Sequence, residues 1–176
     1  QKAKHQPVIF IHGSTDVAYG DPSDVWYTGW TKVIEYFQSQ GYTSAELYAI
    51  TWGTPDLESW FEFDNDMETI KQIRHFIKLV TKYTRQKKVD IIAHSTGVTL
   101  ARKAIKGGEM EFDGQMYHIG PSLDRYVDTF IGIAGLNLGA KICTSEENLH
   151  TLACSKNNGF FPGNLETHEG MSRFLQ

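Results

Sequence analysis

The chain has 176 residues, 40% of them hydrophobic and 12% aromatic, with 17 Lys and Arg against 21 Asp and Glu for a formal net charge of -4. That length suits one domain with a real core, and the acidic balance without a basic run argues against a nucleic-acid or membrane-surface binder. The longest apolar runs are too short to span a bilayer, and no internal repeat or low-complexity tract is present.

Residues 7–12 (Pro-Val-Ile-Phe-Ile-His) form a continuous apolar run of strand length, broken at Gly13. The sequence opens on Gln1 rather than methionine, so either a leader has been removed or the sequence is a piece of a longer one. A strand ending in His-Gly before small polar residues resembles the oxyanion loop of α/β-hydrolases. There the backbone N–H just after the glycine faces the nucleophile; here that N–H belongs to Ser14. The alternative is an ordinary loop with a turn glycine. His12 reads as structural, its ring hydrogen-bonded beneath the loop, because a base preceding the nucleophile in sequence is foreign to that fold.

Residues 17–30 are rich in turn formers and aromatics. Tyr19, Trp26, Tyr27 and Trp30 either wall an acyl-chain cleft or simply pack the start of a helix. Trp30, Val33, Ile34 and Phe37 then share one face of a helix over 30–40, ended by Gly41. Residues 45–52 read as a second strand. The segment 56–66 is dense in carboxylates (Asp56, Glu58, Glu62, Asp64, Asp66), but no His or Cys joins them, so it reads as a solvated loop and helix start rather than a metal site. Asp66 caps a helix running through Tyr83, with Met67, Ile70, Ile73, Phe76, Ile77 and Val80 on one stripe and basic residues gathered at its end. His75, beside that stripe, reads as structural.

Val89 to Ala93 is a third strand, dominated by β-branched residues, and Val98 to Ile105 favours helix. Between them stands Ala93-His94-Ser95-Thr96-Gly97, a small residue two positions either side of a serine. This is the G-x-S-x-G nucleophile elbow with alanine in the first glycine position. A turn from strand to helix in so few residues forces the serine into strained geometry and brings its small neighbours nearly into contact, where only Gly or Ala fits. It also projects the hydroxyl over the positive end of a helix. A chance A-x-S-x-G is the competing reading. The strand before and the helix after favour Ser95 as a nucleophile, with the N–H of Thr96 as a second oxyanion donor.

Residues 107–122 form a polar, glycine-bearing insertion, a hairpin or an excursion near the site. A fourth strand over 126–134 follows, and the remainder has little periodicity. Cys143 and Cys154 lie in a polar, loop-like segment that reads as exposed. They form a loop-closing disulfide in a secreted protein or two free thiols in a cytosolic one, and their setting favours the disulfide.

Four strands (7–12, 45–52, 89–93 and 126–134) alternating with helices imply a mostly parallel sheet wound with right-handed crossovers, with functional residues at its carboxyl edge. Residues 7–14, Trp52-Gly53, 89–98 and 130–139, with the cysteine segment, resemble the secreted class 2 lipases, especially their nematode members, over nearly the whole chain. The resemblance implies a compact α/β-hydrolase fold without a large lid and hydrolysis of lipid esters such as acylglycerols by a Ser, an Asp or Glu, and a His. It also implies secretion, transient contact with a lipid surface, and no metal or organic cofactor. The family carries two further strands after the fourth, bearing the acid and then the histidine. Here the candidates beyond the fourth strand are Glu146, Glu147, Glu166 and Glu169 with His150 and His168, and none ends a convincing strand; His168 beside Glu169 is the least unfavourable pair. The expectation is therefore one domain over residues 1–176, incomplete at its C-terminus and inactive by itself. The same residues also serve thioesterases and acyltransferases, and a chain without a base fits an inactive lipid-binding homologue.

Overall fold

The computed structural model describes residues 4–56, 58–63, 65–112 and 114–176, with Glu58 described in its backbone alone. Asp64, counted in the acidic segment, lies outside the described residues. Four strands, β1 (Val8–Ile11), β2 (Leu47–Ile50), β3 (Val89–His94) and β6 (Val127–Ile133), form one sheet in the order β2-β1-β3-β6. All three pairings are parallel, with Phe10 opposite Ala49 on one side and Ile92 on the other. Helices α1 (Thr31–Ser39), α2 (Met67–Thr84) and α3 (Thr96–Lys106) supply the crossovers. The alternation and the parallel sheet expected from sequence are present, each element within two or three residues of its expected ends.

The alternation of β1 side chains builds the layers. Ile9 and Ile11 join Ile91 and Ala93 against Ile70, Ile73, Ile77 and Val80 of α2 and Val98, Leu100, Ala101 and Ala104 of α3. Val8, Phe10 and Ile92 face the other way, onto Trp30 and the α1 residues Val33, Ile34 and Phe37. Each fully buried Ile contributes about 1.5–3 kcal/mol relative to exposure, which makes the α2–α3 face the main source of stability. Asp66 caps α2 as expected, its carboxylate accepting from Thr69 N–H at 2.6 Å.

The 107–122 insertion is a hairpin, β4 (Gly108–Phe112) paired antiparallel with β5 (Gln115–Gly120). Arg74 of α2 fastens it: the buried guanidinium donates to Ala104 O and Pro121 O at 2.5 and 2.7 Å, joining α2, the end of α3 and the exit of the hairpin.

One open alternative is decided and one sequence expectation is corrected. Trp30 is buried against Phe10, ring centroids 5.3 Å apart, so it packs the start of α1 and is no part of a rim; Tyr19 and Trp26 are exposed. The cysteines are not in an exposed loop. Cys143 and Cys154 are joined in a disulfide and fully buried, in a third apolar cluster with Ala140 and Phe160. The burying residue, Phe160, arrives from downstream and stacks near Phe63, while Asn158 O accepts two bonds from Asn65.

Candidate active site

The carboxyl ends of β1, β2 and β3 converge on one place. At the end of β3 the chain turns into α3 through Ser95, whose φ of 52° and ψ of -128° lie in a region that residues with a side chain rarely occupy. Two contacts hold that turn. Ser95 N–H donates to Ile133 O at the end of β6 (2.9 Å), and Val98 N–H donates back to Ser95 O (3.0 Å). Gly97 is pressed against the end of β1: a Cβ there would stand 2.2 Å from His12 O and 2.9 Å from Ile11 O. Ala93, at the other small position, is fully buried in the core.

Gly13 faces the serine directly. A Cβ built on it would lie 2.9 Å from Ser95 Cβ, 3.4 Å from Ser95 Oγ and 3.4 Å from His94 Nδ1. Ser95, Ser14 and Thr96, expected together from sequence, are therefore brought together. Ser14 N–H donates to Thr96 Oγ1 at 2.6 Å, a bond that no sequence signal indicated beyond a hydroxyl in the position after the serine. The exposed His94 ring, which sequence reading passed over, stands beside the same loop.

His12 is the support beneath. Trp52 N–H donates to its Nε2 at 3.1 Å, so Nε2 is unprotonated and the proton sits on Nδ1, which donates to Gly13 O at 2.6 Å. Burial pushes the His12 pKa below its usual 6.5, against the opposing pull of the Gly13 carbonyl and Asp16. The Trp52 ring stacks on the imidazole at 5.1 Å, and its Nε1–H donates to His12 O at 3.0 Å. A neutral, doubly bonded ring thus fixes the backbone on either side of Gly13.

Among the described residues no side chain makes a hydrogen bond with Ser95 Oγ. His168 and Glu169 sit in a turn in which His168 N–H donates to Asn164 O at 2.7 Å and Asn164 N–H to Glu169 O at 3.0 Å, with no bond from either residue to Ser95. Beside the Gly13 loop, Ser14, Thr15, Trp52, Trp60 and Phe63 line a cleft of about 250 Å³. A larger cavity of about 480 Å³ runs along the outer half of α3, against Val127 and Phe130, and Ser95 lines neither of the two. The smaller cleft is the one that Ser14 and Thr15 of the Gly13 loop line.

The arrangement matches known proteins in two ways. A model of the family "Lipase (class 2)" matches residues 5–176. Among solved structures, the lipase BlEst2 of Bacillus licheniformis in its mature form superposes with a TM-score of 0.51 at 17% identity, covering 81% of this chain and 48% of that one. Its propeptide form gives a TM-score of 0.50 at 16% identity, covering 81% and 26%. EstA from Clostridium botulinum gives 0.46 at 15% identity, covering 85% and 40%. This chain thus spans about half the length of mature BlEst2. At these identities the two BlEst2 superpositions speak to the fold alone.

Proposed function

The chain belongs to the class 2 lipase family, and on that premise we propose that it is a serine hydrolase of carboxylic esters of lipids, acting through an acyl-enzyme on Ser95. The observation that carries the reading is the strained Ser95 backbone at the strand-to-helix turn, with its hydroxyl facing the Gly13–Ser14 loop. Ser95 Oγ attacks the ester carbonyl carbon and gives its proton to a general base, which passes it to the departing alcohol. Water then cleaves the acyl-serine, releasing the fatty acid and restoring the hydroxyl. The N–H groups of Ser14 and Thr96 hold the developing oxyanion, typically ~3 kcal/mol of barrier for each such donor. No step calls on a metal or organic cofactor.

The proposed setting is extracellular, in keeping with a buried disulfide, and no helix among the described residues is long and apolar enough to cross a membrane. Tyr19, Val25 and Trp26, all exposed on the loop that follows the Gly13 segment, suit transient contact with a lipid surface. The same groups would serve a thioesterase or acyltransferase, which profiling against thioesters and acceptor alcohols separates from a lipase. A lipid-binding protein without turnover is the second reading, favoured by one observation: among the described residues Ser95 Oγ has no hydrogen-bonded base.

A short-chain nitrophenyl ester and a fluorophosphonate probe decide between them. Turnover and labelling that vanish in Ser95→Ala, with the circular dichroism unchanged, support the hydrolase. Saturable lipid binding by a protein that neither turns over nor labels supports the second reading.

A further inference from the structure

The two N–H groups proposed to hold the oxyanion are in opposite states. Ser14 N–H already donates to Thr96 Oγ1 at 2.6 Å. Thr96 N–H, which opens α3, donates to no atom of the described residues, although Thr96 is completely buried. One donor is filled by a side-chain oxygen, and the other, on the residue that carries that oxygen, has no acceptor among the described residues. Buried N–H groups without a partner are rare and call for an explanation.

A hydroxyl oxygen accepting from Ser14 N–H is the electrostatic equivalent of a carbonyl oxygen in that position. It also belongs to the residue whose own N–H is the second proposed donor. The loop that delivers Ser14 is itself strained. Thr15, a β-branched residue, has φ of 69°, a conformation that persists only while neighbouring contacts hold it. Those contacts are the His12 ring on Gly13 O, Asp16 N–H on the same oxygen, and the Ser14–Thr96 bond.

We propose that in the resting protein the Thr96 hydroxyl holds the place of the substrate carbonyl oxygen, and that Thr96 is a positioning residue whose side chain must swing out before the oxyanion site can act. Rotation about the Thr96 Cα–Cβ bond, or a lift of the Ser14–Thr15 segment, frees one donor and uncovers the other. An entering ester oxygen restores the lost hydrogen bond, so opening is nearly free for a molecule with an acceptor oxygen correctly placed. A purely apolar molecule offers no such replacement and leaves the site closed. Apparent affinity is therefore reduced by the fraction of molecules in the open state. This inference rests on Ser95 being the nucleophile.

Amide hydrogen exchange at Ser14, read by NMR on the unreacted protein, tests the contact without any turnover. Exchange is expected to be slow in the wild type, to quicken on the order of fivefold or more in Thr96→Ala and Thr96→Val, and to slow again in Thr96→Ser, the ratio one ordinary internal hydrogen bond sustains. Equal exchange in wild type, Thr96→Ala and Thr96→Val overturns the proposal whether or not Ser95 reacts. Fluorophosphonate labelling of Thr96→Ala is expected to be about fivefold faster than wild type, for the same reason. Slower labelling of Thr96→Ala would mean that the hydroxyl is a working donor, and would also overturn it. Labelling that survives in Ser95→Ala, or is absent throughout, removes the nucleophile assignment instead, while the exchange result still decides the contact.

Discussion

Gly97 and His12 are locked together by distance: a Cβ on Gly97 would stand 2.2 Å from the His12 carbonyl oxygen. The first turn of α3 therefore packs directly on the strand end that carries the Gly13 loop, and the elbow and the loop are one unit. Gly97→Ala forces the two backbones apart. The expected cost is about 3 kcal/mol, at the upper end for overpacking, measured by urea unfolding. A change below about 0.5 kcal/mol, the range of an ordinary surface substitution, would show that the two segments are free to slide.

The strained serine makes the opposite prediction. With φ of 52° and ψ of -128°, Ser95 occupies backbone space that glycine enters without a Cβ penalty. Ser95→Gly should remove the hydroxyl and raise stability by about 1 kcal/mol, or roughly 2–4 °C in Tm for a chain of this size. Ser95→Ala keeps the penalty and should melt with the wild type. Equal melting of all three proteins would mean that no strain is stored at the elbow.

Glu46 carries an acid-sensitive contribution. Its buried carboxylate accepts N–H bonds from His5, Thr43 and Lys4, tying the segment before β1 to the start of β2. Those bonds, the His5 N–H first, lower its pKa from 4.5 to about 2. The unfolded chain thus takes up this proton more readily than the folded one. The contribution is whole above pH 4.5 and fades as pH falls from there toward 2. Glu46→Gln should lower stability at pH 7 and flatten this part of the acid limb. A parallel downward shift of the whole pH profile would place the titration elsewhere.

How far the sequence disclosed these features depends on whether a signal is local. The strands at residues 89–93 and 7–12 and the stripe of α2 were legible because apolar periodicity and caps are read over a few neighbours. The elbow was legible because Ala93 and Gly97 answer a local steric demand. Glu46 was not, since a lone acid before a strand looks like surface until the N–H groups of residues 4, 5 and 43 turn toward it. Burial of the cysteines depends on Phe160, and the Thr96–Ser14 bond spans 82 positions and one side-chain rotamer. Neither leaves a pattern along the chain.

The Cys143–Cys154 disulfide closes a short loop and also fills space under Phe160. Replacing both cysteines with alanine should cost about 3 kcal/mol. Both sulfurs are shielded, so reduction of the native protein should wait on opening of this segment and accelerate in urea well below the global midpoint. Immediate reduction by dithiothreitol in buffer would contradict that burial.

His12 should be neutral in the working protein, with its proton on Nδ1. The Trp52 N–H directed at Nε2 leaves no room for a second proton, and burial keeps the pKa below 6.5. Below pH 6.5 the unfolded chain therefore binds a proton that the folded chain refuses, and stability declines as pH falls toward the depressed folded value. When the ring does protonate, the Trp52 bond is lost and the support under Gly13 O goes with it. Activity should then fall together with the His12 titration. Long-range proton–nitrogen NMR reads both tautomer and titration. A proton on Nε2 at pH 7, or a His12 midpoint at or above 6.5, would break the link between this ring and the loop.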